Sequence, residues 1–380
     1  MRETTIVILI DALGYELAER HRFDIPGLTH RASLRTVLGF SQAAIATILT
    51  GLEPSAHSLW MMYSFSPDHS PFAWLRVVPR RVSARRRWFR RLIRWRLRFV
   101  SGIRGYYSLY DVPREVLPYL DVPARGNIFE RGGGAGRPTI LDALGESETR
   151  FLVWDYRTPE ERAFSELESA VRAGRASFYL LYTAALDGCL HSYGTLDPRV
   201  GSRLAVYRER IGCLVSAAPT ARVIVLGDHG MCDVRGHLDV MGPVDALGLE
   251  LGRDFVPFYD ATMARFKVFS PRAEQALGDL LRSFPSGRLL DPGEMAGLGV
   301  SFPDGRFGDF VFLADAGTII NPSYMGGPGI AAMHGYHPDS PEMSSVLLSN
   351  VEIPIGTRSI RHVADFLLPG FGRGRRKAGP

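Results

Sequence analysis

The chain has 380 residues, 46% hydrophobic and 22% charged, with a formal net charge of +5 in which arginine supplies nearly all the cations. This composition excludes a disordered or fibrous chain and gives enough residues to bury a large core. Cys189, Cys213 and Cys232 are too few and too scattered for a disulfide framework or a CxxC metal site, and no run reaches the ~18 apolar residues that span a bilayer.

The amino-terminal run Ile6–Ile10 ends in Asp11. It is too short for the core of a signal peptide and reads as a buried strand with a polar residue at its tip, so the expected compartment is the cytoplasm. From there, short apolar runs alternate with helical patterns. Strands are expected at Thr5–Ile10, Ser33–Leu38, Phe151–Trp154, Phe178–Thr183, Val223–Leu226, Ala264–Phe269, Phe310–Leu313 and Ser345–Leu348. Helices are expected at Gly14–His21, Ala43–Leu49, Pro159–Ala173, Val200–Ala217, Arg272–Ser283 and Ile360–Leu368. The alternation predicts an α/β fold, a mainly parallel central sheet sandwiched by helices. Residues 1–61 and 146–368 would form the core. Residues 62–145, Arg-rich and Gly-rich, and about 235–333 break the rhythm and read as insertions capping a site. The tail 369–380 reads as disordered.

Polar residues follow the strands. Asp11 comes directly after the first. Ser41 precedes a helix, where serine is also a common N-cap. Asp187 and His191, spaced i, i+4, follow Phe178–Thr183, and Asp228 and His229 follow Val223–Leu226 between two glycines. His334 lies in Met333-His334-Gly335-Tyr336. Ligands of open α/β sheets bind outside the carboxyl ends of the strands, so these groups are candidates for one site. Carboxylates and imidazoles in this number could hold two divalent cations ~3.5–4 Å apart, a pair suited to in-line displacement at phosphorus.

The segment Phe40-Ser41-Gln42 through Thr50-Gly51-Leu52-Glu53-Pro54-Ser55-Ala56-His57 resembles the nucleophile region of the type I phosphodiesterase/nucleotide pyrophosphatase family, within the alkaline phosphatase superfamily. There a Thr or Ser precedes a helix ending in Thr-Gly-x-x-Pro-x-x-His. Asp11, the Asp187/His191 pair with Tyr193-Gly194, Asp228-His229-Gly230-Met231 and His334-Gly335-Tyr336 resemble the remaining motifs in the family's order. The resemblance implies an alkaline-phosphatase-like fold and a two-metal hydrolase of phosphate esters. Ser41 would be its nucleophile, carried through a phosphoseryl intermediate. One ion would be held by Asp11, Ser41, Asp228 and His229, the other by Asp187, His191 and His334, with zinc the expected metal and manganese the alternative. A transferase using the same intermediate and a non-catalytic membrane-binding protein on the same fold are the rival readings. Nucleotide-hydrolysing members carry an Asn soon after the motif's His; Ser58-Leu59-Trp60-Met61-Met62-Tyr63 has none, and Asn127 is the available substitute for substrate contact. The Pro and Arg that follow a sulfatase nucleophile are missing after Ser41.

Arg80–Val100 carries two stripes when drawn as a helix. Arg87, Arg90, Arg91, Arg94 and Arg98 form one, and Trp88, Phe89, Leu92, Trp95 and Phe99 the other. An anionic membrane surface with a lipid-linked substrate, a cap helix packed on the core, and a partner surface are the three readings. No motif points to specific nucleic-acid binding. On the first reading the protein would sit at the inner membrane face.

Overall fold

The computed structural model describes residues 4–78, 87–325 and 329–371. Six strands form the main sheet, in the spatial order His30–Leu34, Ser345–Ser349, Arg222–Leu226, Thr5–Ile10, Phe178–Thr183, Phe151–Trp154. The last four are parallel to one another. Ser345–Ser349 runs against both neighbours, so five strands share one direction and the sheet is mixed but mainly parallel.

Thr5–Ile10 is central because it can be covered on both faces. Ile6, Ile8 and Ile10 pack under the helices Glu160–Arg172 and Pro198–Ala217. Val7 and Leu9 meet the helices Ser41–Thr50, Ile140–Glu146 and Val363–Leu367 on the other side. The period-2 alternation of a strand thus becomes two separate apolar layers.

One edge strand is His30–Leu34, earlier in the chain than the expected Ser33–Leu38. The chain leaves the sheet after Leu34, and Thr36 turns its hydroxyl inward to donate to the carbonyl of Asp228. That exit carries the backbone toward Ser41.

Within 235–333 the strands expected at Ala264–Phe269 and Phe310–Leu313 appear as Met263–Val268 and Phe310–Ala314, inside a second, antiparallel sheet in the order Phe255–Tyr259, Met263–Val268, Phe310–Ala314, Gly287–Leu289. Side chains of this sheet share one apolar cluster with Tyr63, Phe72, Phe89, Ile93 and Leu97, all within 62–145. Of the Arg-rich segment, Arg87–Phe99 is helical; its earlier part, 80–86, lies outside the described residues, as does 372–380 of the tail. No helix among the described residues is long and apolar enough to cross a membrane, and the three cysteines are free thiols.

The Thr-Gly-x-x-Pro-x-x-His motif has a structural role. Gly51 ends the helix in the left-handed conformation at φ 66°, and Pro54 opens a short helical turn that brings His57 back onto it. His57 is fully buried. Its Nδ1 accepts from Leu59 N–H at 3.0 Å, so Nε2 carries the proton and donates to Thr47 Oγ1 at 3.1 Å. Burial holds the imidazole neutral, with its pKa pushed down to about 3.

Candidate active site

Thr5–Ile10, Phe178–Thr183 and Arg222–Leu226 point their carboxyl ends to one edge of the sheet. Asp11 follows the first. The second leads into the helix Ala185–Tyr193, which carries Asp187 and His191 on successive turns. Asp228 and His229 follow the third. His334 arrives on the short strand Ala332–Met333, which pairs with Cys232–Asp233 just beyond His229. Gly230 permits this convergence, because a Cβ there would stand 2.0 Å from the carbonyl oxygen of Glu342.

All seven expected residues come together. His229 Nε2 lies 3.3 Å from Asp11 Oδ1 and 3.3 Å from Asp228 Oδ2. His191 Nε2 lies 3.2 Å from Asp187 Oδ1, and His334 Nε2 lies 3.7 Å from the same oxygen. The rings of His229 and His334 stack with centroids 3.8 Å apart. Ser41 Oγ is 3.3 Å from Asp11 Oδ1 and 3.0 Å from His229 Nε2. Ser41 is the first residue of its helix and Phe40 the N-cap, with no side-chain cap bond. The serine hydroxyl therefore faces the cluster instead of capping the helix. Phe40 O takes the N–H groups of Ala43 and Ala44. Those of Ser41 and Gln42 have no partner among the described residues, which leaves two donors at the positive end of a helix beside the hydroxyl.

The donor set fits divalent cations. His229 Nδ1 meets Gly230 O at 2.9 Å and His191 Nδ1 meets Ala332 O at 2.8 Å. A carbonyl only accepts, so each Nδ1 carries a proton and each Nε2 faces the cluster, where a bound cation would take its lone pair in place of a second proton. Asp228 Oδ1 accepts from Ala12 and His229 N–H at 3.0 Å each, while its Oδ2 is buried without a hydrogen bond, as is Asp187 Oδ1. Asp187, His191 and His334 form one group whose ligand atoms lie within 4.8 Å of one another; Asp11, Asp187 and His229 form a second. Asp187 thus stands between the two groups, where the resemblance assigned it to one.

Electrostatics separate the titrations of the cluster. Burial, followed by the charge of Asp11, raises Asp228 well above the carboxylate range. Burial would also raise Asp11, but the hydrogen bond and charge of His229 and the hydroxyl of Tyr182 outweigh it and hold Asp11 low. Burial opposes a charge on His229, yet Asp228 and Asp11 push its pKa up to about 10. His334 is held neutral by burial and by its two histidine neighbours. The field is one that attracts positive charge.

A cavity of about 540 Å³ opens over the cluster, within the usual range for small-molecule sites. Asp11, Ser41, Asp187, His191 and His334 floor it, and Trp60, Tyr106, Tyr110 and Tyr156 are among its walls. Asn127 also lines it, but its Nδ2 donates to Asp155 at 2.7 Å and its Oδ1 accepts from Phe129 N–H at 3.2 Å, so its amide braces the wall. Sequence reasoning missed Tyr182, whose hydroxyl donates to Asp11 Oδ2. A tyrosine near the end of a buried strand needs a partner for its hydroxyl, and that was the available signal. It also missed Asp260 on the cavity wall, paired with the buried Arg265 at 3.2 Å.

The family model described as type I phosphodiesterase / nucleotide pyrophosphatase matches residues 5–337. Murine ectonucleotide pyrophosphatase/phosphodiesterase 5 superposes with a TM-score of 0.68 at 13% identity, covering 97% of this chain and 95% of its own. The human protein of the same name gives 0.68 at 12% identity with the same coverage. The murine protein as an inactive variant in complex with AMP gives 0.67 at 13% identity, again covering 97% and 95%. At such identities the likeness establishes the fold. No curated protein sequence matches the chain significantly.

Proposed function

The chain belongs to the type I phosphodiesterase / nucleotide pyrophosphatase family and is a hydrolase of phosphoester bonds, and from that premise we propose that it cleaves phosphodiesters through a phosphoseryl intermediate on Ser41. The observation that carries the reading is the position of Ser41 Oγ, at the first residue of a helix and within 3.3 Å of Asp11 Oδ1 and His229 Nε2.

The residues divide the work. Asp187, His191 and His334 would hold one divalent cation, and Asp11, Asp228, His229 and Ser41 the other, with Asp187 close enough to influence both. Three imidazoles among carboxylates suit zinc. When bound, the pair would supply Lewis acidity, lowering the pKa of the serine hydroxyl and neutralising phosphate oxygens. Ser41 Oγ loses its proton to solvent and attacks phosphorus, the P–O bond to the leaving group breaks, the departing oxygen takes up a proton to leave as an alcohol, and the phosphoryl group, still carrying its other ester, passes to the serine. Water then attacks the phosphoseryl ester, regenerating Ser41 and releasing a phosphate monoester. The free N–H groups of Ser41 and Gln42 stabilise the equatorial oxygens in both steps. Tyr182 fixes Asp11 by holding its second oxygen.

The AMP complex of the murine relative supports a nucleotide as one candidate leaving or retained group. Asn127, spent on Asp155, argues against the phosphate contact made by the family's asparagine. The two insertions supply the rest of the wall and would set the remaining specificity.

The test is chemical trapping. Enzyme mixed with bis(4-nitrophenyl) phosphate, quenched in acid and digested, should yield a phosphorylated peptide containing Ser41. Steady turnover with no adduct at any time point, together with an active Ser41→Ala variant, would show that water attacks directly.

A further inference from the structure

The helix Arg87–Phe99 has three faces. Phe89, Ile93 and Leu97 are buried in the cluster shared by the two insertions. The solvent side is split lengthwise. Trp88, Leu92, Trp95 and Phe99 stand in one row, 54%, 41%, 55% and 67% exposed. Arg87, Arg91, Arg94 and Arg98 stand in the row beside it, all exposed. The segment contains no acidic residue, and none of these four arginines makes an ion pair among the described residues. The expected apolar stripe was therefore right in kind and wrong in one member, since Phe89 faces inward and closes the cap. The helix needs only its third face to stay folded, which leaves the Trp/Leu/Phe row without an internal use.

We propose that this solvent face docks on an anionic bilayer surface, the apolar row entering the headgroup–acyl boundary and the arginine row meeting lipid phosphates, so that the catalytic cavity is presented to a phosphodiester held in that surface. Charge and pattern select this occupant. An unbroken row of large apolar side chains beside an unpaired cationic row is the arrangement of an interfacial helix. Leu92 in the middle of the row offers a nucleic acid neither a charge nor a stacking plane, and a second copy would set arginine row against arginine row. The helix is also tied to the cavity. Arg90 Nη1 donates to Tyr110 O at 2.8 Å and Ile103 N–H donates to Leu97 O at 2.9 Å, and Tyr106 and Tyr110, on the segment so anchored, wall the cavity. The substrate clause rests on the hydrolase reading above; the docking does not.

Co-sedimentation of the full chain with phosphatidylglycerol/phosphatidylcholine vesicles and with pure phosphatidylcholine vesicles tests the docking. The anionic vesicles should bind at least about tenfold more tightly at low salt, since each basic residue at the surface contributes roughly fivefold. Trp88→Ser, Leu92→Ser, Trp95→Ser and Phe99→Ser in combination should weaken binding about tenfold or more. Arg87→Gln, Arg91→Gln, Arg94→Gln and Arg98→Gln in combination should abolish the preference for anionic lipid. Both variants should hydrolyse soluble bis(4-nitrophenyl) phosphate at the parent rate, which shows that the fold is intact, and should cleave a vesicle-borne phosphodiester more slowly than the parent. Equal binding to both vesicle types, parent-like binding by the serine variant, or tighter retention by single-stranded DNA than by anionic vesicles would overturn the docking. Lack of turnover of the soluble diester by the parent would instead sink the hydrolase reading, with the sedimentation result still deciding the docking.

Discussion

Ser41 Oγ lies 3.0 Å from Nε2 of His229, a contact made because the serine opens its helix without capping it. Ser41→Ala removes the hydroxyl and keeps every Asp and His of the cluster. Turnover of an aryl phosphodiester should fall by at least about 10³-fold, while the metal content of the purified protein stays near that of the parent. Ser41→Thr keeps a hydroxyl and should recover a measurable part of the rate. Parent-like turnover by the alanine variant would remove Ser41 from the chemistry.

Asp187 neighbours both candidate ligand groups, and its Oδ1 is buried with no hydrogen bond. Asp187→Asn should therefore weaken both ions, by about 100-fold or more in affinity, beyond what loss of a supporting residue costs. Elemental analysis after dialysis should find fewer ions per chain than in the parent. Chelation of the parent should abolish activity, added Zn²⁺ or Mn²⁺ should restore it, and the melting temperature should rise with added metal. A variant that retains two ions would confine Asp187 to a minor role.

His57 gives a pH dependence with a definite sign. Its pKa is about 3 in the folded protein against 6.5 for a free imidazole. Between those values the unfolded chain binds a proton that the folded chain refuses. The contribution of His57 to stability is then fully present above about pH 6.5 and is lost as pH falls toward about 3, a total of roughly 4–5 kcal/mol. His57→Asn, whose carbonyl can still accept from Leu59 N–H, should be less stable at pH 7 yet lose less stability between pH 7 and pH 4. Urea unfolding at the two pH values measures this, and an unchanged difference between them would place the acid sensitivity elsewhere.

Gly335 adopts φ +88°, and a Cβ there would lie 2.8 Å from both Phe40 Cε1 and Thr262 Oγ1. Phe40 packs edge-on against His334 at 5.4 Å and directly precedes Ser41. Gly335→Ala should cost about 1–3 kcal/mol and should also lower kcat, by displacing groups on both sides of the glycine. Thermal melting and steady-state kinetics check the two effects. A variant that melts early but turns over at the parent rate would show that Phe40 yields without moving the nucleophile.

The central strands were legible because Ile6–Ile10, Phe178–Tyr182 and Val223–Leu226 are continuous apolar runs, as strands buried on both faces are expected to be. The cluster was legible because its members follow those runs. The second sheet was only half visible. Phe255–Tyr259 contains Pro257, and Gly287–Leu289 has three residues, so neither shows an alternation long enough to read. Tyr182 shows in the sequence only as a member of the strand Phe178–Thr183, because its ring is core and only its hydroxyl belongs to the site. The burial of Asp260 with Arg265 depends on distant segments, since Arg265 also donates to the carbonyls of Tyr63 and Phe307, and local pattern carries no record of that.

Thr5–Ile10 is paired in the native sheet only with Phe178–Thr183 and Arg222–Leu226, both far later in the chain. Until those segments have emerged, a strand that is almost entirely apolar has neither edge covered. Parallel pairing across such sequence distances is slow, and an uncovered apolar edge invites association between nascent chains. Association before the partner strands emerge is thus the hazard this topology carries. The protein's yield should depend on chaperone capacity during translation more than on the stability of the finished molecule.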